Sequence, residues 1–389
     1  LTNVSGSTLS GTYTVGSGHK TPDLAVSSIT SASVTDFANT ITQTVYNIPS
    51  SQGSFNAENS FISRNIGDSK NIVIGGYVEI EVGDNPYQAS AAITVDAVDY
   101  SYVANQGDGT VSVLRLSDNT VIDTIDVGDE PYGVSPSTVS GTIYMYVANT
   151  GSDTVSVIDT STNTVTATVA VGLRPYYATT IGTKVYVTNG ASNTVSVINA
   201  TNNTVTATIP VGAYPRGIKA HGTDLYVANF GDQNYSGGNS ITVIDSTDNT
   251  ISDTILLPGG SEGPRGVIVL NDTVYVANYR SHNVSVIDTA TNRVTETIGV
   301  GNGPRGTAVV GTKVYIENFD DGTISIIDSS DNTVDSTVVV GHSPAGMGVY
   351  GTDIYVTRFQ DNLVSILDTT TGLLETIPVE EEEEEGGGG

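Results

Sequence analysis

A short motif, Tyr-Val-Ala-Asn or a close variant, returns seven times along the chain. The copies begin at Tyr102, Tyr146, Tyr186, Tyr226, Tyr275, Tyr315 and Tyr355, with spacings of 44, 40, 40, 49, 40 and 40 residues. Self-similarity at a fixed period demands stacked copies of one supersecondary unit, because a single unit of this size cannot bury its own apolar face. Each copy is followed by a second alternating run, such as VSVIDT from Val155 or ISIIDS from Ile324. A polar corner, a third run such as TVTATIPV from Thr204, and a V-G-x-x-P element complete the unit. That element starts at Val82, Val127, Val171, Val211, Val300 and Val340, with a variant at 260–264. Period-two alternation of Val, Ile and Tyr with Thr, Ser and Asp is a strand signal, and Gly, Asn and Pro at the joints are turn signals. Four strands in about 40 residues is the arithmetic of a propeller blade. The predicted fold is all-β: a seven-bladed β-propeller of four-stranded antiparallel blades, preceded by a small β-rich N-terminal segment. Trp is absent, so these are not WD40 blades, and no 3.6-residue period supports a helical repeat.

The unit resembles the YVTN-type β-propeller repeat of surface-layer and other exported proteins of archaea and bacteria. The likeness rests on Y-V-[AT]-N, V-S-V-I-D and V-G-x-x-P and covers roughly three quarters of the chain. It implies a propeller and an exported protein; propellers host many unrelated functions. In the unit, Tyr is expected to pack between blades. The closing Asn is expected to adopt left-handed geometry or to bond the backbone two residues on. Gly and Pro are expected to set the return from rim to channel.

The chain carries 42 acidic against 14 basic residues, a net charge of −28. Nothing offsets phosphate repulsion, which argues against nucleic acid and anionic membranes as partners. No run of about 18 apolar residues is present, so no helix spans a membrane. Cys is absent, which removes disulfides, thiolate metal sites and a Cys nucleophile. The chain begins at Leu1 rather than Met, as a secreted protein does after its signal peptide is removed. Six sequons, at Asn3, Asn199, Asn202, Asn234, Asn271 and Asn283, are glycosylation candidates and point the same way.

Catalytic chemistry has little to stand on. His19, His221, His282 and His342 show no metal-ligand spacing, and no zincin, P-loop, G-x-S-x-G or haem-attachment motif occurs. No enzyme, no metal and no cofactor is expected. A low-affinity Ca²⁺ site in acidic loops such as 107–109 and 320–322 stays open, although Asp beside Gly is first of all a turn signal. One cluster is basic: Arg174, Arg216, Arg265 and Arg305 sit beside the Pro of successive V-G-x-x-P turns, the last three as Pro-Arg-Gly. Because the turn enters the innermost strand, these side chains are expected around one end of the channel. There they would bind an acidic glycan or small acid, or pair with neighbouring carboxylates.

Residues 1–76 do not repeat and are read as a β-rich segment with strands near 12–15, 24–29, 41–48 and 72–74. Val34, Phe37, Ile41 and Val45 offer an alternative helical face. Residues 77–379 are the propeller, and 380–389, six Glu then four Gly, a low-complexity tail. Counting strands leaves one too many. Residues 77–82 (YVEIEV: Tyr77, Val78, Ile80, Val82) and 373–379 (LLETIPV: Leu373, Leu374, Ile377, Val379) both read as the outermost strand of blade 7. A spare strand has an unpaired edge, which another copy of the chain would cover. The expected function is therefore an extracellular, cell-surface structural protein. It would be a head-to-tail homopolymer, a filament or surface layer, joined by strand addition. The first alternative is the glycan- or acid-binding module, and the second a propeller lyase or hydrolase.

Overall fold

The computed structural model describes residues 79–231, 238–259 and 261–375, and before them the backbone pairing of seven short strands. The chain forms two compact units, Leu1–Tyr77 and Val78–Gly389.

In the first unit Asn3–Ser5 pairs with Thr8–Ser10, and Asp23–Leu24 with Phe55–Asn56. Ala32–Thr35 lies parallel to Tyr13–Thr14 and antiparallel to Thr40–Gln43. Val34 and Ile41 are register partners across that last pair, so the β reading holds over the helical one. The run at 72–74 and the tail 380–389 lie outside the described residues.

The second unit is the seven-bladed ring. Blade 3 shows the plan: Pro175–Ile181 innermost, then Lys184–Asn189, Thr194–Asn199 and Thr204–Pro210 outermost, each antiparallel to the last. The two middle strands are buried along most of their length, because each blade is covered on both faces by its neighbours. The outermost strands face solvent, which is why they are Thr-rich. In blades 1 to 5 each keeps one buried core residue, Ile125, Val169, Ile209, Ile255 and Ile298, and in blade 6 the equivalent Val338 is half-buried.

The repeated Tyr is a latch as well as filler. Its hydroxyl donates to an Asn in the polar corner of the next blade: Tyr102 to Asn163 (2.7 Å), Tyr146 to Asn203 (2.9 Å) and Tyr226 to Asn292 (3.0 Å). Tyr355 to Asn119 (2.6 Å) joins blade 7 to blade 1. Each corner Asn holds a positive φ between 52° and 61°, the left-handed geometry that Asn tolerates best after Gly. Blade 7 has Gly372 at this corner, and Tyr315 bonds Thr369 instead.

The Asn that closes Tyr-Val-Ala-Asn corrects the expectation made for it. Asn105, Asn149, Asn189, Asn229, Asn278 and Asn318 are fully buried with ordinary φ. Each donates across to the third strand, as Asn189 does to Thr194 (3.0 Å) and Ser196 (2.9 Å). Their side chains also fill the space over the Gly of V-G-x-x-P: a Cβ at Gly212 would lie 2.4 Å from Asn229. In that turn the left-handed residue is the one just before Pro, for example Arg174 (φ 52°) and Tyr214 (φ 51°).

Ring closure uses both ends of the propeller. The third strand of blade 7, Leu363–Asp368, pairs with Leu373–Glu375 over Asp368, Leu367 and Ile366. It pairs with Glu79–Glu81 over Ser365, Val364 and Leu363. The expected choice between one strand and the other is thus replaced by sharing, each segment supplying half of one outermost position. Ile80 takes the core place that Ile209 takes in blade 3, is 5% exposed, and packs with Val103, Tyr355 and Val364. Val82 extends the seam by donating to the Asn362 carbonyl (3.2 Å). In blades 1 to 6 a bulge interrupts this pairing, as between Val197 and Ile198; in blade 7 the break between segments falls one position earlier, between Ser365 and Ile366. Tyr77, Val78, Ile377 and Val379 lie outside the described residues.

Candidate functional site

The residue following the Pro of each V-G-x-x-P turn opens the innermost strand at one mouth of the channel. Around the ring this position reads Tyr87, Tyr132, Tyr176, Arg216, Arg265, Arg305 and Ala345. Three tyrosines from blades 1 to 3 thus face three arginines from blades 4 to 6. A second position, just after the buried Asn or its equivalent, complements the first. It is Gln106, Thr150 and Gly190 beside the tyrosines, and Phe230, Tyr279 and Phe319 beside the arginines. A Cβ at Gly190 would lie 2.5 Å from the Tyr176 ring, so the small residue makes room for the aromatic one.

The two halves close on each other. Arg265 donates through Nη2 to the hydroxyls of Tyr87 and Tyr132, the latter at 2.7 Å, and Arg216 donates to Tyr132 at 3.1 Å. The Tyr87 and Tyr132 hydroxyls also bond each other, with ring centroids 3.6 Å apart. Arg216 lies 3.8 Å from the Tyr176 centroid, and Arg305 3.8 Å from Phe319 and 4.7 Å from Tyr87. Guanidinium stacked on aromatic faces in a low-dielectric site is favourable by electrostatics and by area. Arg265 is 8% and Arg305 5% exposed.

Three of the four predicted arginines therefore meet. Arg174 does not, because it precedes its Pro whereas the others follow theirs. It is exposed on the left-handed side of the turn, where its guanidinium donates to the Tyr214 hydroxyl (3.2 Å) and also interacts with Tyr176. The expectation that the clustered arginines pair with carboxylates is not met either; their partners are phenols and rings. The Nε atoms of Arg216, Arg265 and Arg305, and Nη2 of Arg305, have no hydrogen-bond partner. Sequence reasoning missed the tyrosines and Glu317. Reading down the post-Pro column finds the tyrosines, and Glu317 stands out as the E of YIEN where other blades have Ala or Thr.

Glu317 is fully buried and neither carboxylate oxygen takes a side-chain hydrogen bond. Burial pushes its pKa up to about 7, against the opposing pull of Arg305, Arg265 and the Gly306 and Gly346 amides. Burial likewise raises the Tyr132 hydroxyl, but Arg265, Arg216 and Arg305 outweigh it and bring the phenol below its ordinary value. The mouth thus concentrates positive charge inside an acidic protein.

The other candidates are used structurally. Asp108 accepts from the Asp84 amide (2.6 Å) and Asp321 from the Asn302 amide (2.6 Å), tying each acidic loop to the turn beside it. His282 accepts from the Gly303 amide (3.1 Å), while His221 and His342 approach Asp272 and Asp361. No group of three or more His, Cys, Asp or Glu side chains suited to a metal occurs among the described residues. Of the sequons, Asn271 is exposed at a left-handed turn, Asn199 and Asn202 hold corner hydroxyls, and Asn283 accepts from buried Asn278 (2.8 Å). The side chains of Asn3 and Asn234, and His19, lie outside the described residues.

No protein-family model matches the chain, and no curated protein matches it. Among solved structures, hydrazine synthase of Kuenenia stuttgartiensis is similar, at 18% identity and a TM-score of 0.64 over 77% of this chain and 99% of that one. The likeness is one of fold, a seven-bladed propeller. That neighbour is named a hydrazine synthase; at this identity the likeness carries the fold alone.

Proposed function

We propose that the chain is an extracellular, self-assembling structural subunit of the YVTN-repeat kind, joined head to tail by inter-subunit strand addition. The observation that carries the reading is the double claim on one half-strand of blade 7. Residues 376–379 read TIPV, as do 208–211, and in blade 3 Thr208, Ile209 and Pro210 lie opposite Ser196, Val195 and Thr194. Continuing the register of Leu373–Glu375 would set Thr376, Ile377 and Pro378 against Ser365, Val364 and Leu363, the partners Glu79–Glu81 already holds. One strand-forming segment is therefore surplus to its own ring. The N-terminal unit supplies a complement: among its described residues the sheets have two or three strands of two to four residues, short of what an independent sheet needs. Pairing the surplus segment of one copy with the N-terminal sheet of the next satisfies both, and a head-to-tail contact that does not close gives a filament.

The test is electron microscopy and light scattering of the full chain against a variant lacking 1–76 and against Ile377→Pro. Full-length protein should form filaments. Both variants should remain folded, soluble and monomeric. A full chain that stays monomeric at high concentration refutes the reading. A second reading, a binding module for an acidic glycan or small acid, is favoured by the convergence of three guanidiniums, Arg216, Arg265 and Arg305, at one channel mouth.

A further inference from the structure

Asn-Gly is a chemically labile dipeptide, because Asn is thermolabile and Gly has no side chain to shield its nitrogen from the amide carbon before it. The chain has two, Asn189-Gly190 and Asn302-Gly303. Asn189 is fully buried, its amide donates to Thr194 and Ser196, and the Gly190 N–H goes to the Arg174 carbonyl (2.8 Å), a poor acceptor of a proton. Asn302 is exposed, in the V-G-x-x-P turn that enters blade 6.

The same turn recurs around the ring, so its variants serve as internal controls. The residue just before Pro is left-handed, and a side chain from the preceding blade accepts its N–H. Arg174 donates to Asp153 (2.8 Å), Tyr214 to Asn193 (2.8 Å) and Asn85 to Asn362 (2.9 Å). In blade 6 the donor is Gly303 (φ 66°) and the acceptor is Nδ1 of His282 (3.1 Å). A base thus stands on the proton whose loss makes the Gly303 nitrogen a nucleophile. Its backbone holds it there, with the His282 N–H on the Asn278 carbonyl (3.1 Å) and the His282 carbonyl on the Val300 N–H (3.2 Å). Of the seven turns, only this one has Asn before the left-handed residue. The Asn302 amide is held as well: Asp321 accepts the backbone N–H through Oδ2 (2.6 Å) and Nδ2 through Oδ1 (2.8 Å). In blades 2, 3 and 5 the hydroxyls of Ser152, Ser192 and Ser281 accept the backbone N–H at the equivalent position.

We propose that Asn302-Gly303 is a self-modification site, where the folded chain converts Asn302 to aspartate or isoaspartate with His282 as the base. The Gly303 nitrogen passes its proton to His282 Nδ1 and bonds to Asn302 Cγ. The Cγ–Nδ2 bond then breaks, and the proton returned by His282 leaves with Nδ2 as ammonia. The product is a cyclic imide, which water opens at either carbonyl. One opening leaves a carboxylate where the amide was; the other routes the backbone through the side chain. Both alter the channel mouth. A new carboxylate stands against Asp321 with like charge. The carbonyls of Asn302 and Gly303 hold the Asp320 and Phe319 amides (3.2 and 3.0 Å), and Phe319 is the ring on which Arg305 stacks. Conversion therefore loosens the arginine half of the aromatic plug as the protein ages.

The test is peptide mapping by mass spectrometry of freshly purified full chain held at neutral pH and physiological temperature. The peptide carrying Asn302 should convert through the imide, while Asn189 stays intact. Conversion should be about tenfold or more faster than in the same chain unfolded in urea, the least that a positioned base should give. His282→Asn should remove that margin without moving Tm, because Asn193 and Asn362 already make the same bond in the same left-handed geometry. If His282→Asn does not fold, the comparison of folded with unfolded chain decides alone. An intact Asn302, or conversion no faster in the folded chain than in urea, overturns the proposal. Fold-dependent conversion that His282→Asn leaves unchanged removes the histidine from the chemistry and overturns it too.

Discussion

Glu317 is the group whose removal should stabilise the protein, and its effect depends on pH. It sits on the second strand of blade 6, Lys313–Asn318, where other blades carry Ala104, Ala148, Thr188, Ala228, Ala277 and Thr357. Burial raises its pKa from 4.5 to about 7 despite Arg305 and Arg265. Between those values the folded protein keeps a proton that the unfolded chain has released. The group's contribution is thus fully present below pH 4.5 and is lost as pH rises through about 7. The gap between 4.5 and about 7, at about 1.4 kcal/mol per pH unit, comes to about 3 kcal/mol. Glu317→Gln keeps the shape and removes the ionisation. By calorimetry it should match the parent protein near pH 4 and exceed it above pH 7 by up to about 3 kcal/mol, on the order of 5 °C in Tm. The full difference between variant and parent, taken at each pH, cancels the titration of the many surface carboxylates. A variant that is less stable than the parent at pH 8 refutes the reasoning, because Glu317 would then be a charged partner of the arginines.

Three further outcomes follow from the packing. Ile80→Ala should cost about 2–4 kcal/mol in denaturant unfolding, as a core deletion does, because Glu79–Glu81 is part of blade 7; a change below about 0.5 kcal/mol would remove that strand from the ring. Gly217→Ala places a Cβ 2.2 Å from the Arg265 carbonyl oxygen and should lower Tm sharply, whereas Gly222→Ala, with nothing within 4 Å and a φ of 59°, should show only the milder cost of a left-handed Ala. Tyr226→Phe removes the bond to Asn292 and should cost about 1 kcal/mol by urea titration; no loss would mean that the latch is incidental to ring stability.

The sequence alone was enough for the repeated architecture. Alternation, turn residues and a 40-residue spacing act within one blade, so seven copies of the signal determine seven four-stranded sheets and the turn that enters each innermost strand. They also carried Arg216, Arg265 and Arg305 to one end of the channel, since equal register positions on equivalent blades end at equal heights. What differs between blades was harder to read. The tyrosines at the same position were legible in the column of residues after Pro, but their partnership with the arginines depends on which blades face each other across a closed ring. Arg174 shows how narrow the margin is: one residue on the other side of Pro points a guanidinium outward. The buried Asn was read from its local turn preference, yet its bonds run to the neighbouring strand, where burial rewards a satisfied amide over a left-handed corner. The sharing of blade 7 belongs wholly to the tertiary structure. Glu79–Glu81 and Leu373–Glu375 are separated by almost the whole propeller and have equally good strand sequences. Only closure of the ring brings them to one strand, where the backbone hydrogen bonds of six residues must be divided between them.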